Sequence, residues 1–112
     1  MSETLDPQAI GDELLQFAEQ ELKTALGELW DENKQEVAEW AEVVARLQLL
    51  RLRGSSTIEM TEKYVAAGQK CLLRKLRGRV EDEVYEYAEK VLDFVLAKAA
   101  LVASQVIKGM LA

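Results

Sequence analysis

After Pro7 the chain contains no proline, and one cluster of small polar residues, Arg53-Gly54-Ser55-Ser56-Thr57, interrupts the remainder. Proline fixes φ and removes a backbone donor, so turns and strand edges favour it while helix interiors exclude it. A chain that does without it past its start is predicted to be helical. Asp6-Pro7 reads as a helix start, with a side-chain acceptor at the cap and proline at the first helical position. Gly54 suits the left-handed residue after a helix C-terminus. Ser56 or Thr57 suits the cap of the next helix, with Glu59 in its first turn.

These signals predict an all-α protein: one domain over residues 1–112, with a helix at about 7–53, a turn at 54–57 and a helix at about 57–111. At 1.5 Å per residue each helix would be roughly 70–80 Å long, beyond the ordinary globular range. Such rods imply a long antiparallel hairpin with coiled-coil-like packing, or further breaks that give three or four helices. The first place to expect a break is residues 27–33, where Gly27 adjoins the polar run Asp31-Glu32-Asn33-Lys34. Gly68 and Gly78 are weaker, since one mid-helix glycine costs only about 1 kcal/mol.

Apolar residues recur at steps of three and four, the spacing of one helix face. The first stripe begins at Ile10, Leu14 and Phe17 and continues through Leu22, Leu26, Leu29, Val37, Trp40, Val44 and Leu47, with Asn33 at a core-like position. The second runs through Leu73, Leu76, Val80, Val84, Tyr87, Val91 and Val95. Towards the C-terminus it widens. Val91, Leu92, Val95, Leu96, Ala99, Val102, Ala103, Val106, Ile107 and Met110 cover roughly half the circumference of a helix. A hairpin hides one stripe per helix, so this arc is expected to be the main protein interface, in an oligomer or on a larger complex. Trp30 and Trp40 serve equally as core residues or as interface anchors.

Charge is segregated. Residues 1–45 carry 12 acids and 2 bases, residues 46–79 carry 9 bases and 2 acids, and residues 80–112 carry 6 acids and 3 bases. In a hairpin turning near residue 55, Glu32 falls opposite Arg79, Glu36 opposite Lys75 or Arg74, and Glu42 near Lys70. The basic segment is thus expected to answer the acidic one along a helix seam, which selects register more than it stabilises. The competing reading makes Lys70, Arg74, Lys75, Arg77 and Arg79 a contact for a polyanion or acidic partner. A net charge of −6 and the lack of interleaved aromatics weigh against nucleic acid. The acidic first helix suggests a further regulatory reading, a decoy for a partner's basic groove.

Site chemistry is sparse. The chain has no histidine, hence no Ser–His or Cys–His pair and no imidazole ligand. Carboxylates recur at helical spacing (Glu32, Glu36, Glu39, then Asp82, Glu83, Glu86, Glu89), but without the Glu-x-x-His of helical di-metal sites. The single Cys71 forms no intrachain disulfide and fits a reducing compartment. The acidic N-terminus does not resemble a secretory signal. Residues 91–112 include Asp93, Lys98 and Lys108, too many charges for a membrane span of roughly 20 apolar residues. The expectation is a cytoplasmic, non-enzymatic protein without catalytic residues, metal or cofactor, whose partner is itself or another protein. Phage scaffolding or virion parts and secretion-system components are analogies of class.

Overall fold

Three glycines divide the chain. The computed structural model describes the backbone of residues 7–54 and 56–111 and the side chains of residues 9–54, 56–101 and 105. The described residues form four helices: α1 (Pro7–Leu26), α2 (Glu28–Arg53), α3 (Ile58–Leu76) and α4 (Asp82–Leu111). Among the described residues there is no strand, and positive φ occurs at Gly27, Gly54 and Gly78 alone. One such glycine lies in each interhelical turn, because a left-handed residue stops a helix and a side chain there meets steric cost. Each of the two expected rods is therefore divided once, at Gly27 and at residues 77–81. The longest extent of the fold is 46 Å, about the length of the 30-residue α4 alone.

Each helix contributes one apolar row to a shared core. Ile10, Leu14, Ala18, Leu22 and Leu26 of α1 are all buried at steps of four. In α2, Trp30, Val37, Trp40, Ala41, Val44, Ala45, Leu47 and Leu49 are buried, a spread wider than one stripe. That spread has a cause: α2 packs against α1, α3 and α4, whereas α1 and α3 do not touch. Both tryptophans are core residues, 1% and 4% exposed. Asn33 is also buried, and its amide donates to the Leu29 carbonyl one turn back at 2.8 Å. Its polarity is thus met inside α2, with no partner helix needed.

Two close approaches set how the helices sit. A Cβ on Gly11 would lie 3.1 Å from Glu42 Cα, so the α1 and α2 backbones nearly touch there. Gly68 stays helical in the middle of α3 for a different reason: the indole of Trp40 lies against it. A Cβ on Gly68 would come within 2.8 Å of Trp40 Cδ1. The same indole N–H donates to the Val65 carbonyl at 3.0 Å in a buried bond.

In an ordinary exposed helix, glycine to alanine gains up to about 1 kcal/mol. Here Gly68→Ala forces Trp40 or α3 to shift, an overpacking cost of about 1–3 kcal/mol. Thermal unfolding of G68A should show a lowered midpoint, with the tryptophan emission altered. A raised midpoint would mean that Trp40 does not press on this position.

Candidate protein-docking face

α4 begins with Asp82 and Glu83 in its first turn, where acids complement the helix dipole. From there the helix presents two apolar rows. The inner row, Ala88, Val91, Leu92, Val95 and Ala99, is buried at 5% exposure or less. Four of the ten residues expected to form an intermolecular interface, Val91, Leu92, Val95 and Ala99, are therefore core, and Leu96 packs against them half-buried. The side chains of Val102, Ala103, Val106, Ile107 and Met110 lie outside the described residues. The correction has a simple origin. A hairpin offers α4 one neighbour, but the divided chain offers three, since α4 touches α1, α2 and α3. As far as Ala99 the wide apolar arc is covered within the chain.

The outer row is different. Tyr87, Phe94 and Leu101 are 40%, 65% and 58% exposed and follow one another at seven-residue steps. Seven residues are close to two helical turns, so the three side chains form one line. Beside them, between α1 and α4, is a recess of about 320 Å³ lined by Phe17, Glu21, Tyr87, Lys90, Val91 and Phe94. Lys98 Nζ sits 4.5 Å from the centroid of the Phe17 ring, a cation held over an aromatic face. The Tyr87 hydroxyl donates to Glu21 Oε2 at 2.6 Å. That hydrogen bond to the carboxylate, with desolvation and the carboxylate's charge adding to it, raises the Tyr87 phenol above its ordinary value of 10.0. The recess thus has an aromatic floor and a charged rim. Sequence reading put Tyr87 in the inner stripe and passed over Phe94 and Leu101. The seven-residue recurrence was the available signal, hidden beside a stronger row.

The basic segment splits in two. Lys75 binds Glu36 through an ion pair, and Arg79 binds Glu32 at 2.9 Å, both across α2 and the chain from α3 onward, as the charge pattern predicts. The Glu36 hydrogen bond raises Lys75 above its ordinary value, outweighing some desolvation. Arg51 adds a pair with Glu62 at 3.3 Å. Glu42, expected near Lys70, instead binds Arg46 in its own helix at 3.0 Å. Lys70, Arg74 and Arg77 are exposed and have no ion pair among the described residues. Of the carboxylates at metal-like spacing, Glu32 and Glu36 are held by these cations. Among the described residues no group of three or more Cys, Asp or Glu is placed to hold a metal. No described helix is long and apolar enough to cross a membrane.

Comparison with known proteins gave no match to a family model, a curated protein or a solved structure.

The Tyr87–Glu21 bond makes a pH prediction with a definite sign. A phenol with a raised folded-state pKa contributes stability below its ordinary value of 10.0 and loses it as pH rises through the folded value. Alkaline titration followed by tyrosinate absorbance, with Tyr87→Phe as the difference reference, should show the Tyr87 phenol titrating above its ordinary value of 10.0. Glu21→Gln should bring it back towards that value. A Tyr87 that titrates at its ordinary value in the unmodified chain would show that the bond does not form.

Proposed function

We propose that this is a non-enzymatic assembly protein that joins copies of itself through the outer face of α4. One observation carries the reading: three large apolar side chains, Tyr87, Phe94 and Leu101, stand exposed in a line on the longest helix, beside an aromatic-lined recess. Burying one such side chain contributes about 1.5–3 kcal/mol, and a heptad-spaced row is what a helix offers to a second helix. The interface contemplated from sequence thus moves around α4 from its inner row to its outer one. No cofactor is needed for this role. An exposed, unpaired Cys71 suits the reducing conditions of a cytoplasm.

A second reading, a small regulatory binder of nucleic acid or another polyanion, draws support from Lys70, Arg74 and Arg77, three exposed cations on and just beyond α3. Among the described residues no carboxylate pairs with these three cations, but the reading is the weaker one. The chain is net −6, and the recess next to these cations carries Glu36 and Glu39, which repel phosphate.

Phe94→Asp with Leu101→Asp changes two exposed positions and should leave helicity intact. Light scattering should find the unmodified chain above its 12.6 kDa monomer mass and the double variant at it. An oligomer unchanged by both substitutions would reject the α4 outer face as the interface.

A further inference from the structure

The outer face of α4 needs a counterpart, and α3 has one. Met60 and Tyr64, 65% and 69% exposed, continue to the exposed Cys71 in a second apolar row. A recess of about 410 Å³, with Trp40, Tyr64, Gly68, Cys71 and Leu72 in its walls, opens along that row between α2 and α3. On one side of the row stand Lys70, Arg74 and Arg77, cations with no ion pair among the described residues.

We propose that α4 of one copy packs antiparallel against the outer face of α3 of the next, so that the chain assembles head to tail. This rests on the reading of α4 as a self-association surface and names the partner surface. Two observations carry it. The first is spacing: Tyr64 and Cys71 are seven residues apart, as are Tyr87 and Phe94. An antiparallel register that sets Phe94 over Tyr64 therefore also sets Tyr87 over Cys71. The second is charge. About 100° separates successive residues around a helix, and on that wheel Arg74 and Lys70 lie to the same rotational side of the α3 row as Glu83 and Glu86 do of the α4 row. Same-side flanks meet when two helices face each other antiparallel. In this register Arg74 falls by Glu83, and Lys70 falls opposite Ala88, between Glu86 and Lys90. Arg74 gains Glu83 and Lys70 gains Glu86, carboxylates that no described residue of their own chain supplies, with Lys90 the one cation on the facing flank. Packing α4 on α4 would leave Lys70 and Arg74 unanswered. Because the two surfaces differ, the contact is heterologous and builds a ring if the rotation closes or a filament if it does not.

Complementary disabled variants test this. R74E/R77E removes the α3 surface and F94D/L101D removes the α4 surface, all at exposed positions. By sedimentation velocity each variant alone should be monomeric. Their equimolar mixture should give a dimer capped at twice the monomer mass, because one intact α4 face meets one intact α3 face. That recovery also shows both variants to be folded. If R74E/R77E assembles like the unmodified chain while F94D/L101D does not, α4 self-association stands and the α3 partnership is overturned. A mixture that stays monomeric overturns it as well. So does an unmodified chain that stays monomeric and gains mass on a single-stranded oligonucleotide, with R74E/R77E losing that gain. That outcome makes the cation row a polyanion site.

Discussion

The indole of Trp40 decides where α3 lies. It presses on Gly68 with no room for a methyl group and donates its N–H to the Val65 carbonyl. A donor buried at 4% exposure without a partner would cost about 1–3 kcal/mol, so the indole holds α3 at one depth and one longitudinal position. The surrounding ion pairs follow from that placement. Arg51–Glu62 lies on one side of it, and Glu36–Lys75 and Glu32–Arg79 lie on the other. Exposed pairs of this kind are each worth about 0–1 kcal/mol. They agree with a register that the aromatic lock imposes. On the opposite side of α2, Gly11 lets α1 come down to the backbone, and Lys34–Glu19 bridges the pair at 3.2 Å. Lys34's hydrogen bond pulls the Glu19 carboxyl below its ordinary 4.5, against the opposing effect of desolvation.

With α2 touching every other helix, the apolar surface divides cleanly. What faces α2 and its neighbours is core, including most of the wide arc on α4. Of the large apolar side chains that remain outside, all but Leu52 fall in two rows, Tyr87, Phe94 and Leu101 on α4 and Met60 and Tyr64 on α3. Singly exposed apolar residues are normal on any protein. Two rows that each hold a pair of residues seven apart are the feature on which the proposed assembly rests.

Much of this was legible in the chain. Pro7 and Gly54 mark helix ends because their backbone chemistry is local, and all-helical character follows from periodicity and the lack of proline. The pairs Glu36–Lys75 and Glu32–Arg79 could be read from residue sums about the turn. Gly27 could be ranked first because a polar run follows it, and the chain does turn there, but Gly68 and Gly78 could not be told apart, since each is a glycine in an otherwise helical stretch. Gly78 turns and Gly68 does not because Trp40, 28 residues earlier in the chain, needs a helix without a side chain at position 68. Once the rods divide, the number of neighbours around α4 changes from one to three. That tertiary fact moved Val91, Leu92, Val95 and Ala99 from a supposed interface into the core and left Phe94 and Leu101 outside.

The chain has two phenylalanines, Phe17 and Phe94, and both line the same recess. Incorporated para-fluorophenylalanine therefore reports on the proposed face alone. Fluorine NMR of the unmodified chain across a concentration series tests the central claim most directly. The account predicts that the Phe94 signal starts near a solvent-exposed position, then shifts and broadens as concentration rises and the face is covered. A Phe94 signal that keeps its exposed position and width up to the solubility limit would contradict the claim that this face joins copies of the chain.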